Sequence, residues 1–205
     1  MVWSCDLRAS TSLAAKLEPD AYLHLLNSFF DCAAGSAMAE GGEVLKFIGD
    51  AVFAIFPVAE DGADGTASAA SGTALASRAA LAAAGRFLTR LTAVNLARAD
   101  LGLETLEAAV ALHLGAVNYG NVGAKDRLDF TVIGSAANEV ARLVELCKEL
   151  DEPVLFTRQI AQHSGEKSRS LGRFCLRGAQ DSHEIFTITS DNQPSSLNPA
   201  NRRAE

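Results

Sequence analysis

The chain reads as an α+β fold: one largely antiparallel sheet with helices against one face. Three observations predict it. Short β-type runs are interleaved with longer helical stretches, several neighbouring runs are joined by only a few residues, and those links carry Gly, Asp or Pro. At 205 residues the chain is long enough to bury one sizeable core.

The elements follow in order. Val2 to Cys5 is an apolar run, a first strand that leads into Asp6. Leu17 to Glu40 predicts a helix: Pro19 suits a first turn, and Leu23, Leu26, Phe30 and Ala33 recur at helical spacing, with Phe29 broadening the stripe. Gly41-Gly42 ends it. Val44 to Phe47 and Ala51 to Phe56 predict a hairpin joined at Gly49-Asp50 and stopped by Pro57. Ala59 to Gly72 has no large apolar side chain and reads as a mobile loop. An alanine-rich helix follows over about Thr73 to Arg98, its bulk supplied by Phe87, Leu88, Leu91 and Leu96. Leu106 to Gly115 is a strand, Val117 to Val122 returns around a Gly-punctuated turn, and Arg127 to Ile133 is a further strand ended by Gly134-Ser135. Ala136 to Leu150 is helical, with Val140, Leu143 and Leu146 or Cys147 on one face. Val154 to Phe156, Phe174 to Leu176 and Glu184 to Ile188 are the last strands. Residues 1–190 thus form the domain, and the polar segment 191–205 is expected to be a disordered tail.

Composition narrows the function classes. The hydrophobic fraction is 48%, but much of it is alanine, and no apolar run approaches the ~18 residues of a membrane span. No basic n-region precedes an apolar run at the start, so no cleaved secretion signal and no membrane contact from this segment are expected. A net charge of -7 argues against a broad basic face for nucleic acid. A small polyanion such as a nucleotide triphosphate can still bind if metals neutralise it. Cys5, Cys32, Cys147 and Cys175 form no CxxC pair and read as small buried thiols, which favours a reducing, cytoplasmic address.

Chemistry concentrates in a few places. Asp6 and Asp50 are lone carboxylates at strand ends, each flanked by apolar sequence, where an ionised group resists desolvation unless paired or metal-bound. Converging from adjacent strands, the two would suit Mg²⁺ or Mn²⁺, which prefer oxygen ligands, with phosphates and water completing the shell. An ordinary Asx turn at Asp50 is the alternative. Asn138 and Arg142 lie four apart on a predicted helix, so both can project from one face towards a sugar and a phosphate. Taken alone, Arg142 reads better as the partner of Glu139 or Glu145 on a wet face. The glycines of GAVNYGNVG fit tight turns and close strand approach, not a phosphate loop. Lys46, in an apolar strand, must reach solvent, a carboxylate or a ligand acceptor.

Four blocks, CDLRAST, GGEVLKFIGDAVFAIF, GAVNYGNVG with the following DRLDFTVIG, and SAANEVARL, occur in this order. Together they resemble the catalytic domain of class III nucleotidyl cyclases, the adenylate and guanylate cyclases, and the likeness runs from Val2 to about Ile188. The resemblance implies a ferredoxin-like core with additional elements and a head-to-tail homodimer. It makes Asp6 and Asp50, helped by the backbone of Leu7, the ligands of two Mg²⁺ or Mn²⁺ ions per active site. It assigns the ribose to Asn138, charge on the α-phosphate to Arg142, and the purine to Lys46 and Thr131. Lysine with threonine resembles adenylate cyclases, where Lys46 would donate to adenine N1 and Thr131 accept from the exocyclic amine. Ser10 and Thr11 are expected to line the phosphate turn, with Arg127 as a further basic contact.

The implied activity is that of a phosphorus–oxygen lyase, ATP to cyclic AMP and pyrophosphate, in signal transduction. A regulatory domain or membrane anchor would belong to a longer parent. The chain departs from the family pattern at Ala9 and Ser10, where glycine and an aromatic are usual, at Ser135, where aspartate is common, and at Ala137, where valine is more usual. A guanylate or mixed cyclase and a catalytically silent cyclase-like module are the alternatives. A polymerase-like palm would need a basic track that this acidic chain lacks.

Overall fold

The computed structural model describes residues 1–59, 69–176 and 182–189. Most of the expected loop between Ala59 and Gly72, and all of the expected tail 191–205, lie outside them. Strand β1 (Val2–Leu7) is central because it is apolar on both faces: Val2, Trp3, Cys5 and Leu7 are all buried. It is also paired along both edges, antiparallel to β3 (Ala51–Ile55) and to β4 (Ala108–His113). β2 (Glu43–Ile48) closes a hairpin with β3, and Gly49 supplies the positive φ of 61° in the two-residue link.

Between these strands run α1 (Ser10–Lys16), α2 (Pro19–Ala39) and α3 (Ala69–Asp100). The order β2-β3-β1-β4, with α2 and α3 as the crossovers, is the βαββαβ ferredoxin-like core that was expected. β7 (Val154–Thr157) extends the sheet beside β4 in its one parallel pairing, followed by β9 (Ser182–Ile188) and the edge strand β8 (Ser168–Cys175). α4 (Ser135–Leu150) precedes β7, and α5 (Arg158–Ser164) follows it.

Helices cover both faces of the sheet, not one. Trp3, Cys5, Leu7, Val110 and Leu112 point to one side and share a core with Phe29 of α2, Phe87 of α3 and Ile160 of α5. Val2, Ala109, Ala111 and Leu155 point to the other and pack on Val140, Leu143 and Cys147 of α4. This is the alternation that a strand buried on two faces must show. α4 thus covers a face of its own, the face that carries Asp6.

Other expectations need correction. β5 (Asn118–Ala124) does not return against β4; it pairs with β6 (Arg127–Ile133) in a separate two-stranded sheet that packs against β2. A Cβ on Gly123 would lie 2.2 Å from the carbonyl oxygen of Arg127, the close strand approach expected of that glycine, whereas Gly120 has open space around it. α2 buries Leu25, Phe29, Cys32, Ala33 and Ala37, while Leu23 is 56% exposed, so the stripe lies to one side of the predicted one. Leu96 of α3 is likewise exposed. The two seven-residue helices were not anticipated because neither carries enough apolar residues to show a period. Cys5, Cys32 and Cys147 are buried, and burial pushes the Cys147 thiol up to about 12, but Cys175 is exposed on the sheet edge.

Phe29 is fully buried and meets Phe87 edge-on, with ring centroids 5.9 Å apart. Phe29→Ala is expected to cost about 3–5 kcal/mol of stability. Urea denaturation checks this; a loss below about 1 kcal/mol would show that α2 and α3 do not depend on this contact.

Candidate active site

Asp6 sits near the end of β1, one residue from the Leu7 amide that donates to the Asp50 carbonyl oxygen at 3.4 Å. Its register partner is Ala51, so the two aspartates are neighbours across adjacent strands, as the motif pattern predicted. The Asp6 side chain is only 16% exposed. Burial pushes its pKa above the ordinary carboxylate range; the hydrogen bond from Lys148 pulls it back, and the charge of Asp50 pushes it up again. Lys148 Nζ, in the last turn of α4, lies 2.5 Å from Asp6 Oδ2.

Arg8, two residues further on, ties this strand end to the same helix. Its guanidinium donates to the carbonyl oxygens of Cys147 and Glu152, both at 2.9 Å, and to the Asp151 carboxylate at 3.0 Å. These bonds tie Arg8 to the C-terminal end of α4, where the Cys147 carbonyl also accepts from the backbone amides of Asp151 and Glu152. Ala9 then takes a left-handed conformation, with φ 55° and ψ 26°, and starts α1, placing Ser10 and Thr11 in its first turn. Glycine is usual at this position in the resembling family, and the backbone shows why.

Asn138 and Arg142 project from the opposite side of α4 from its apolar stripe of Val140, Leu143, Val144 and Cys147. Asn138 is exposed, and Arg142 is paired with Glu145 at 2.9 Å, the ion pair that the helix sequence suggested. Their neighbour Glu139 anchors this half of the helix: His113 and His183 set their Nε2 atoms 3.1 and 3.2 Å from its Oε2. Burial lowers the His113 pKa, against the opposing charge of Glu139.

His113 lies opposite Val2, so this anchor and Asp6 are four strand residues apart, about 13 Å. The aspartates therefore lie against the C-terminal turn of α4, while Asn138 and Arg142 of the same chain lie in its N-terminal half on the outward face.

Lys46 of β2 pairs across the hairpin with Phe53, which faces α4, so Lys46 shares the side of the sheet on which Asp6 lies. Thr131 is half-buried on β6, opposite Gly120, in the hairpin that packs on β2. Arg127 is exposed at the tip of that hairpin, paired with Ala124. Sequence reasoning missed Lys148, the link from Glu139 to His113 and His183 instead of Arg142, and the contacts of Arg8 with the end of α4. Only Arg8, inside the CDLRAST block, carried any signal.

The donor set suits a hard divalent cation, since two carboxylates and the Leu7 carbonyl offer oxygen alone. Asp6 is a desolvated charge beside a like charge, and it already draws a cation, Lys148. Among the described residues no group of three or more His, Cys, Asp or Glu side chains could hold a metal, so water or substrate oxygens must complete any shell. Among them, too, no helix is long and apolar enough to cross a membrane.

No family model matches the chain. An adenylate cyclase of Anabaena cylindrica is 30% identical over 159 residues, covering 78% of this chain but 29% of that relative, so the chain spans under a third of its length. A bacterial light-regulated adenylyl cyclase superposes with a TM-score of 0.74 at 25% identity, over 91% of this chain and 50% of that one. The adenylyl cyclase CyaB from P. aeruginosa gives 0.71 at 25% identity, over 94% of both chains. By its fold along nearly its whole length and by these relatives, the chain belongs to the class III nucleotidyl cyclase catalytic domains.

Proposed function

We propose that the chain is the catalytic domain of an adenylate cyclase, converting ATP to 3′,5′-cyclic AMP and pyrophosphate at a site shared by two head-to-tail copies. The observation that carries this reading is the meeting of Asp6 and Asp50 at one strand end while Asn138 and Arg142 stand on the far half of α4, facing outward. A second copy supplies the missing half of each site. The adenylate cyclases among the similar proteins favour adenine as the base.

Asp6, Asp50 and the Leu7 carbonyl hold the cations. Mg²⁺ or Mn²⁺, two per site, supplies Lewis acidity that lowers the pKa of the ribose 3′-hydroxyl and neutralises phosphate charge. Asn138 orients the ribose. Arg142 exchanges Glu145 for the α-phosphate oxygens, and its planar donor fork meets the charge that builds there. Lys46 donates to adenine N1, and the Thr131 hydroxyl accepts from the exocyclic amine. Ser10, Thr11 and Arg127 face the remaining phosphates.

Specific activity should rise with protein concentration in a cyclic AMP assay with Mg²⁺ or Mn²⁺; a flat profile from a monomeric protein would count against the shared site. Arg142→Ala should lower turnover about 10²-fold or more with little change in ATP affinity. Asp50→Asn should be inactive as well, yet mixing the two variants should restore activity, because one site of the mixed dimer is then intact. Failure of the mixture to recover any activity would place all these groups in one chain's site. Lys46→Glu with Thr131→Cys should weaken use of ATP relative to GTP, and an unchanged preference would reject the purine assignment.

A further inference from the structure

Lys148 has no part in the chemistry described above, yet it makes the closest contact to Asp6. Its Nζ is 2.5 Å from Asp6 Oδ2, and its side chain is 44% exposed where that of Asp6 is 16% exposed. Most exposed ion pairs of this kind are chance arrangements of long side chains. This one is held by a short closed circuit. From Asp6 the backbone runs through Leu7 to Arg8, whose guanidinium holds the carbonyl oxygen of Cys147, and the next residue is Lys148. Three Arg8 side-chain bonds and the buried Cys147 fix the helix turn from which the lysine projects. The ammonium is therefore delivered to the carboxylate by the fold.

Charge explains what it does there. The Asp6 carboxylate is largely buried and lies beside Asp50 across the strand pair, a place where a negative charge needs a neighbouring cation. An ammonium at Oδ2 compensates that charge, but it takes up an oxygen that a divalent cation held by Asp6 and Asp50 would need. Two cations drawn to one carboxylate repel one another, so binding of the divalent ion works against the lysine contact. The exposed four-carbon stem of Lys148 can swing aside, whereas the aspartates are fixed by β1 and the β2–β3 turn.

We propose that Lys148 is a resident counter-ion of the metal site, which holds the Asp6 carboxylate in place when no metal is bound and competes with the divalent cation for it. Lys148 is thus a positioning residue that sets the metal affinity of the nucleotide-free site. This rests on the two-aspartate metal reading and not on the dimer, since all the groups belong to one chain.

The test is direct titration of the 205-residue chain with Mn²⁺ alone, following the free ion by electron paramagnetic resonance, with no nucleotide present. Lys148→Met should bind Mn²⁺ roughly three- to fivefold more tightly than the parent chain, the range an ion pair of this exposure supports. Lys148→Arg, which keeps the charge, should bind like the parent. Without metal Lys148→Met should melt at a lower temperature than the parent, and saturating Mn²⁺ should narrow the gap. Equal or weaker Mn²⁺ binding by a folded Lys148→Met would overturn the proposal. So would a defect confined to ATP binding, which would make the lysine a phosphate ligand. If the parent chain, Lys148→Met and Asp50→Asn all fail to bind Mn²⁺, the metal reading falls and the proposal with it.

Discussion

The packing that puts β1 at the centre of the fold also takes its last carboxylate out of water, and much of the site's architecture answers that single constraint. β1 is hydrogen-bonded along both edges and covered on both faces. Asp6 must lie near its end, on the α4 side, with another carboxylate beside it across the β3 edge. A buried charge in this position needs a partner. Lys148 fills that role in the free chain, and Arg8 holds the helix end so that it can. Placement of α4 and compensation of the Asp6 charge are therefore one problem, solved by residues 142 positions apart in the sequence.

α4 is pinned at two places with different chemistry. Arg8 and Lys148 hold its C-terminal turn, while Glu139 fixes its first half through His113 and His183. Between these anchors an apolar stripe seats the helix on β1 and β4. The face left over carries Asn138 and Arg142. A rod fixed in this way cannot roll to bring Arg142 onto its own aspartates without breaking both anchors and uncovering Val140 and Leu143. The separation of Asn138 and Arg142 from the aspartates of the same chain is built into the packing.

The core strands and α4 were legible in the sequence because their side chains are apolar at strand or helix period, and the Gly49-Asp50 turn because glycine marks it. Helices on both faces were not legible, since β1 and β4 are near-continuous apolar runs in which alternation cannot show which side each residue serves. The stripe on α2 was misplaced for a related reason: Leu23, Leu25 and Leu26 offer overlapping periods, and only tertiary packing, such as that of Phe29 on Phe87, decides between them. In the site, Asp6 and Asp50 stood out as charges in apolar settings. Lys148 did not, because a lysine in a helix's last turn is the commonest of surface residues, and its partner lies at the other end of the chain. Glu139 and His113 escaped for the same reason, being joined only once β4 and α4 pack.

Ala9 shows how a departure from the family pattern can leave the site's geometry in place. A residue with a Cβ pays about 1–2 kcal/mol for the left-handed conformation in which glycine sits freely. The turn cannot be given up, because it redirects the chain from β1 into α1 while Arg8 stays against α4. That alignment is worth several bonds: the Arg8 amide donates to the Glu107 carbonyl at 2.7 Å, and its guanidinium makes three contacts around the C-terminal end of α4. At roughly 1 kcal/mol each, rising when a charged group is involved, these bonds outweigh the strain. The methyl group of Ala9 is exposed and crowds nothing in the cluster of Asp6, Asp50 and Lys148. The substitution is therefore felt as a small loss of stability in the turn and not as a displacement of the carboxylates. Ser10 is half-buried in the first turn of α1, whose one buried side chain is Leu13, so the small residue there leaves no large apolar surface to cover.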